Sequence, residues 1–274
     1  MNHVLCGILA LVGPRDKRAA APERLMDDAR PLEPLVRKLM TLMDLGAEDQ
    51  AAITALPHEV RRIEHGRYIA REGDVPTHCC LLVSGFAMRH KIVGDGARQI
   101  VNIHMAGDMV DLQNSLLGVA DHNVQALTTM TAAFMRRDAL VDLAFSRPVV
   151  GKALWLETLV EGSIQREWVA NVGRRDARTR VAHILCEFAY RLDAVGLGKK
   201  CNYELPMTQE QLADAVGLTA VHVNRTLKGL DAEGLTTRSK KSVVINDLHQ
   251  LAEVGDFRST YLHLPQHILP AYLQ

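Results

Sequence analysis

The chain has 274 residues, a length that suits about two domains of ordinary size. Its 32 Lys and Arg residues are balanced by 32 Asp and Glu residues, which excludes a chain that is basic throughout but leaves room for one basic face. With 47% hydrophobic and 23% charged residues, the composition is that of a globular protein rather than a disordered one.

The cysteine content indicates a reducing compartment. Five scattered cysteines are too few for a disulfide framework, and no Cys/His spacing resembles a structural zinc site. We therefore expect a cytoplasmic protein without a structural metal. The apolar stretch from Met1 to Pro14 is shorter than the roughly 20 residues of a membrane-spanning helix and lacks the basic start of a signal peptide, so no membrane association is expected.

Residues 1–31 contain three prolines and an alanine run without an apolar period. We expect a disordered tail there or a start codon assigned too early, with Met26 as the alternative start. Order is expected to begin near Leu32. Ala47 to Leu56 predicts a second helix, and a first one is predicted by leucines at helical spacing, namely Leu35, Leu39, Leu42 and Leu45.

From about Glu59 to Arg136, short apolar runs are punctuated by glycines roughly every ten residues. This texture predicts an all-β barrel or sandwich, and we assign residues 32–146 to one domain. Gly94-Asp95-Gly96 is a hairpin turn signal. The candidate strands are Cys79–Val83, Phe86–Val93, Gln99–Met105 and Val124–Thr129.

Residues 147–172 predict one long helix, because Pro148 suits a first turn and apolar residues follow at steps of three or four. Such a face packs either on the chain's own β domain or on a second copy. We favour the second copy and predict a dimerisation helix. Its contact residues are then Val149, Ala153, Leu156, Val160 and Ile164.

Residues 173–257 show a third pattern. A helix from Asp176 to Ala194 precedes Thr208, which suits the N-cap of a helix over 209–216. Gly217 permits a turn with positive φ, and Thr219 caps a further helix that runs to Gly234. Two short strands follow, Thr236–Arg238 and Val243–Ile245, and residues 258–274 are left as a C-terminal tail.

Helix, glycine-containing turn and helix form the helix-turn-helix signature. Arg can bond guanine bidentately and Asn can pair with adenine, so this motif suits duplex DNA. The alternative is a helical hairpin with a solvated face, which the turn, the caps, the apolar period and the basic wing argue against. The exposed positions of the second helix are Ala220, Val221, His222, Asn224, Arg225 and Lys228.

From about Leu35 to Phe257 the chain resembles the Crp/Fnr family of bacterial transcription regulators. The resemblance rests on Gly85-Phe86-Ala87, Asp95-Gly96-Ala97-Arg98-Gln99-Ile100, Ala106-Gly107-Asp108, the stretch Gly173 to Ala182, and above all Thr208 to Leu227. It implies an α+β fold: an N-terminal double-stranded β-helix (jelly-roll) sensor domain, a long dimerisation helix and a C-terminal winged helix-turn-helix.

The resemblance also implies roles by position. Base edges would be contacted by Val221, Asn224 and Arg225, and phosphates by Thr208, Gln209, Thr219 and His222, with Lys240 and Lys241 on the wing. The family often has a Glu where this chain has Val221. A valine cannot accept from cytosine but can contact a thymine methyl, so the half-site is open at that position.

No cofactor is identified from the sequence. Family members that bind cyclic nucleotides have a Gly-Glu pair and an Arg that this chain lacks, so the residues of a cyclic-AMP site are not matched, and Asp111 would repel a phosphate. Iron–sulfur members use a spaced set of cysteines that Cys6 alone does not supply. The haem-ligand candidates His78, His90 and His104 have no supporting pattern.

Three further possibilities are a redox-sensitive thiol, a metalloenzyme and a ligand sensor. Oxidation of Cys186 would lower DNA affinity by disturbing helix packing, although a cysteine on an apolar helix face is usually inert core. A cupin-type metalloenzyme needs converging His and carboxylate ligands, and the β region has no HxH pair. A ligand sensor that does not read DNA is the third class.

We therefore expect a regulator, not an enzyme, that binds a palindromic DNA operator as a homodimer. An unidentified signal would act through the β-roll, and the protein would activate transcription by contacting RNA polymerase. The charges agree with this division, since residues 171–246 carry 12 basic against 8 acidic residues and residues 32–146 carry 11 against 14.

Overall fold

A computed structural model describes residues 30–199 and 201–265. Nearly all of the predicted tail over 1–31, with Met26 and Cys6, lies outside the described residues, as does the end of the chain from residue 266. The first elements are two short helices, α1 (Glu33–Met40) and α2 (Ala47–Thr54). Both are predicted from the sequence, but α1 ends before Leu42 and Leu45 of the predicted leucine pattern. Leu35, Leu39 and Ile53 are buried in one cluster with the β strands that follow.

Two antiparallel sheets make up the region from residue 58 to residue 136. Their strands are β1 (His58–Ile63), β2 (Tyr68–Ala70), β3 (His78–Ser84), β4 (Ala87–Ile92), β5 (Arg98–His104), β6 (Asn123–Ala126) and β7 (Met130–Arg136). One sheet has the order β1-β7-β3 and the other β2-β6-β4-β5, which confirms the predicted β-roll. Small and aliphatic side chains from both sheets, among them Leu82 and Val124, share one core.

Turn chemistry fixes how the strands are connected. Gly85, between β3 and β4, has φ 83°, and a Cβ there would lie 2.7 Å from the carbonyl oxygen of Thr129, so only glycine fits. The predicted hairpin between β4 and β5 is confirmed, with Gly96 at φ 85°. The adjacent Cys79 and Cys80 enter different core clusters, as expected for neighbours on a strand.

Three helices follow the β-roll: α3 (Arg137–Ser146), α4 (Pro148–Arg174) and α5 (Ala177–Ala194). The 27 residues of α4 span about 40 Å. Every seventh residue of α4, from Val150 through Glu157 and Ile164 to Asn171, is buried against the chain's own core. The Asp176 side chain caps α5 by accepting a hydrogen bond from the Thr179 N–H at 2.9 Å.

The C-terminal part contains β8 (Asn202–Glu204), α6 (Gln209–Val216), α7 (Ala220–Ala232), β9 (Thr236–Ser239), β10 (Ser242–Ile245), α8 (Leu248–Val254) and a 3-10 turn (Ser259–Leu262). The three strands form a small sheet in the order β8-β10-β9. The winged helix-turn-helix is therefore confirmed. Residues 258–265 are not a free tail as the sequence suggested, because Ser259 and Leu262 are buried.

Candidate DNA-binding site

The first helix of the motif is fixed by a capping box. The Thr208 hydroxyl accepts from the Gln211 N–H at 3.2 Å, and the Gln211 side chain accepts from the Thr208 N–H at 2.8 Å. Gly217 ends α6 at φ 64°, and a Cβ there would lie 2.6 Å from a methyl of Val172 on α4. The turn thus requires glycine for its backbone angle and for its close approach to α4.

The second helix, α7, begins where the Thr219 hydroxyl accepts from the His222 N–H at 3.3 Å. Val223, Leu227 and Leu230 are buried against α5 and α6, which orients the opposite face outward. That face surrounds a shallow surface depression of about 440 Å³, lined by Gln209, Ala220, Val221, Asn224, Arg225 and Lys228. Val221 is 72% exposed, which is a large exposed fraction for an apolar side chain.

The structure brings the three predicted base-reading residues together on this face. Val221, Asn224 and Arg225 all line the depression. Gln209, at the first turn of α6, is joined to them because its side-chain oxygen accepts from the Asn224 amide at 2.8 Å. No local sequence pattern predicts this hydrogen bond, because its partners lie 15 positions apart. Thr208, Thr219 and His222 are exposed around the same face.

The predicted wing is a two-residue hairpin. Ser239 pairs with Ser242, so Lys240 and Lys241 form the turn, and both side chains are exposed. Lys240 has φ 55°, an uncommon angle for a residue with a side chain. Arg238 anchors the wing to α7 through a bidentate ion pair with Asp231, with a shortest distance of 2.7 Å.

Two side chains of β5 connect the β-roll to the DNA-binding motif. Arg98 pairs with Asp214 of α6 at 2.6 Å, and the Gln99 amide donates to the carbonyl of Ala215 at 3.2 Å. Both residues belong to the stretch 95–100 that suggested the family resemblance. The sequence did not show that this stretch contacts α6, because 116 residues separate the partners.

The exposed face of α4 differs from the predicted dimer face. Ala153 has no exposed surface and Ile164 is 8% exposed, both within the chain's own core, so their assignment to the dimer interface is wrong. Val160 is partly buried against the same core, whereas Val149 is 40% exposed and Leu156 is half-buried. The helix has two apolar faces, and spacing alone does not tell which one meets the core.

The outward face of α4 follows a heptad pattern. Trp155, Leu159 and Val169 are 67%, 52% and 72% exposed. Together with their neighbours they alternate in steps of three and four, the a and d positions of a coiled coil: Lys152, Trp155, Leu159, Gly162, Arg166, Val169 and Gly173. The buried residues at every seventh position lie on the opposite side of the helix. The two positions that are basic, Lys152 and Arg166, interrupt the apolar seam.

A cavity of about 550 Å³ lies between the β4–β5 hairpin and α4, with Gln113, His122 and Trp168 in its wall. Arg89 is its most buried cation, but this guanidinium already pairs with Glu161 and donates to the carbonyl of Val110 at 2.6 Å. Asp111 is buried and accepts from the Cys80 N–H at 2.8 Å rather than facing a ligand. No group of three metal-ligating side chains occurs in the described part of the chain.

The surroundings of Cys186 do not support the predicted redox role. The side chain has no exposed surface, and burial raises the pKa of its thiol well above the ordinary value. The thiolate is the form that reacts with peroxide, so the reactive form is scarce here. His90 and His104, the haem-ligand candidates in β4 and β5, are buried, and burial lowers the pKa of each.

Fold and site together define a protein with a cyclic-nucleotide-binding-like β-roll and a winged helix-turn-helix. Residues 60–147 match the family model of the cyclic nucleotide-binding domain, and residues 179–254 match that of the Crp-like helix-turn-helix domain. Within the residues that the structure describes, no helix is both long and apolar enough to cross a membrane.

The similar proteins are regulators. The transcriptional activator protein FnrL of Cereibacter sphaeroides is 29% identical over 72% of this chain and 80% of its own length. The nitrogen fixation regulation protein FixK of Bradyrhizobium diazoefficiens is 28% identical over 68% and 78%. The structure of FixK2 from Bradyrhizobium japonicum superposes with a TM-score of 0.67 at 24% identity, over 73% of this chain and 98% of that one. The chain belongs to the Crp/Fnr family, and it is a DNA-binding transcription regulator.

Proposed function

We propose that this regulator binds a palindromic operator as a homodimer and reads each half-site through the amino-terminal half of α7. The observation that carries the proposal is the exposed cluster of Val221, Asn224 and Arg225 on a helix whose other face is locked into the core. A helix of this kind fits the major groove.

Some side chains of this surface suit contacts with bases, and others suit contacts with phosphates. Arg225 is expected to bond guanine, Asn224 adenine, and Val221 a thymine methyl. Thr208, Gln209, Thr219 and His222 surround the amino ends of α6 and α7, where free N–H groups and hydroxyls favour phosphate. Lys240 and Lys241 on the wing would contact the neighbouring backbone.

The exposed heptad of α4 supports the dimer. Two parallel copies of this helix would bury Trp155, Leu159 and Val169 against one another, and Gly162 and Gly173 would allow close approach. Lys152 and Arg166 would cost stability in such a seam while favouring a single register. The α7 helix of each protomer would then bind one of two half-sites about 34 Å apart.

We further propose that the protein activates transcription by contacting RNA polymerase, in response to a signal received by the β-roll. The names of FnrL and of one other relative, a probable transcriptional activator of Rhizobium leguminosarum, describe activators. The contacts of Arg98 and Gln99 with α6 offer a route by which a change in the β-roll would reach the DNA-reading helices. An intracellular location, with DNA as partner and no catalytic role, accords with this function.

Selection of bound sites from random duplex DNA tests the DNA-reading proposal. We expect a two-fold symmetric consensus with a fixed spacing between half-sites. Arg225→Ala should weaken binding to that consensus by about 1–3 kcal/mol and relax the preference at one base pair in each half-site. A selection that returns no consensus would favour the sensor that does not read DNA, and an unchanged consensus with Arg225→Ala would remove this residue from base reading.

A further inference from the structure

A wholly buried carboxylate lies where the β-roll, α4 and the C-terminal domain meet. Glu187 of α5 has no exposed surface and accepts hydrogen bonds from three elements. Its Oε2 lies 3.0 Å from Nε1 of Trp168 on α4 and 2.8 Å from the hydroxyl of Tyr261. Its Oε1 lies 3.0 Å from Nη1 of Arg191, one turn later on α5.

Arg191 extends this cluster into the β-roll. Its second terminal nitrogen donates to the carbonyl of Ile103 on β5 at 2.6 Å and lies 3.5 Å from the carboxylate of Asp108. Although burial opposes it, the cations Lys38 and Arg191 lower the pKa of Asp108 to about 2, so this carboxylate is ionised at neutral pH. One connected set of polar groups therefore joins β5, α4 and α5.

Tyr261 belongs to a segment that follows the helix-turn-helix match, which ends at residue 254. We call residues 255–265 the C-terminal strap. Its Phe257 stacks on Tyr190 at 5.4 Å, and the ring of Tyr261 stacks on His183 at 5.9 Å. The 3-10 turn of the strap packs against both α4 and α5.

The strap also closes over the junction between α4 and α5. Arg175, the first residue after α4, pairs with Asp256 of the strap at 2.9 Å and with Glu167 of α4 at 2.7 Å. The backbone between the two helices consists of Arg175 and Asp176 alone. The strap therefore bridges the point at which the C-terminal domain would otherwise pivot on α4.

The energetics of this cluster favour a geometric role over a simple stabilising one. A buried ionic network adds little net stability over apolar packing, but breaking one partner away is costly because it leaves a buried charge unpaired. A change in the angle between α4 and α5 would draw Trp168 away from Glu187. The hydrogen bonds of Glu187 therefore make every other angle between α4 and α5 less favourable in free energy.

We propose that Glu187 and Tyr261 are positioning residues that fix the DNA-binding domain on α4 and thereby set the half-site spacing that the dimer accepts. The inference rests on the proposed dimeric reading of DNA. In such a dimer the paired α4 helices carry the two recognition helices, so the angle between α4 and α5 determines the distance between them. Neither residue lines the depression that carries the base-reading side chains of α7.

The test measures affinity for a series of operators that share their half-sites and differ in spacing by one or two base pairs. Tyr261→Phe removes one hydroxyl and keeps the ring contacts with His183 and Phe257. We expect its preference for the optimal spacing over the next one to fall by about three- to tenfold, with unchanged base preferences inside each half-site. Glu187→Gln should relax the spacing in the same direction.

Tyr203→Phe is the matched control. This tyrosine is more deeply buried than Tyr261, and its hydroxyl donates to the carbonyl of Leu185 at 2.7 Å, entirely within the C-terminal domain. Its spacing profile should match that of the parent. The proposal is wrong if folded Tyr261→Phe keeps the parental profile, or if Tyr203→Phe relaxes the spacing equally. A parent protein that binds single half-sites without any spacing preference would instead overturn the dimeric reading on which the inference depends.

Discussion

The amide of Asn224 is oriented before DNA arrives. One of its two N–H groups donates to Gln209 at 2.8 Å, which leaves the second N–H and the carbonyl oxygen for a base. Adenine offers one acceptor and one donor in the major groove, so the remaining pair of groups suits it. Gln209 would thus lower the entropy cost of ordering Asn224 on binding, in addition to its expected phosphate contact.

At the same scale, Asp111 makes stability depend on pH. Burial raises the pKa of Asp111 from 3.8 to about 7, against the opposing hydrogen bond from the Cys80 N–H. Between pH 4 and pH 7 the folded protein retains a proton that the unfolded chain has lost. The stability of the parent should therefore fall as the pH rises through this window, by about 1.4 kcal/mol for each unit.

Asp111→Asn keeps the acceptor for the Cys80 N–H and removes the titration. Relative to the parent, this variant should gain about 3 kcal/mol in free energy of unfolding between pH 5 and pH 8, measured by urea denaturation. Asp138→Asn is the control, because the hydrogen bond from Arg136 lowers the pKa of Asp138 to about 2. Its difference from the parent should be constant over this range. An equally constant difference for Asp111→Asn would show that Asp111 is ionised in the fold.

At the scale of elements, α4 shows what apolar periodicity leaves open. The spacing of its apolar residues predicted the helix but selected a face that meets the chain's own core at Ala153 and Ile164. A helix buried on one side and paired on the other has apolar residues all round, so its hydropathy has no single direction. Only the packing of the β-roll against one side identifies the free face.

Leu159→Glu tests that free face. In the proposed dimer two copies of Leu159 face each other, so the substitution removes apolar burial twice and places like charges together. We expect the dissociation constant of the dimer to rise at least about 100-fold, measured by sedimentation. Leu197→Glu makes the same change at a leucine that is 45% exposed and lies off α4. It should leave the dimer intact, and a Leu159→Glu protein that dimerises like the parent would exclude this face.

At the scale of the whole molecule, the sequence predicts features that depend on neighbouring residues, but it does not predict contacts between distant ones. The helix bounds at Gln209–Val216 and the turn at Gly217 follow from caps, glycine and apolar spacing, all of which act within one turn. The contacts of Arg98 with Asp214 and of Tyr261 with Glu187 join residues 116 and 74 positions apart. No local pattern encodes such pairs. The sequence therefore predicts a tail from residue 258, although residues 258–265 belong to the strap.

The zero net charge also hides an uneven distribution, which leads to a prediction for the wing. Residues 171–246 carry an excess of four basic residues, and Lys241 is exposed at the tip of the hairpin. A lysine that neutralises a phosphate releases a counterion, so binding weakens as salt rises. Lys241→Ala should weaken all DNA sequences alike and reduce the slope of log affinity against log salt by about 1 per protomer, or about 2 per dimer. Lys91→Ala, in the β-roll, is the control and should leave the slope unchanged. If Lys241→Ala lost affinity for one DNA sequence only, Lys241 would have a base-reading role instead.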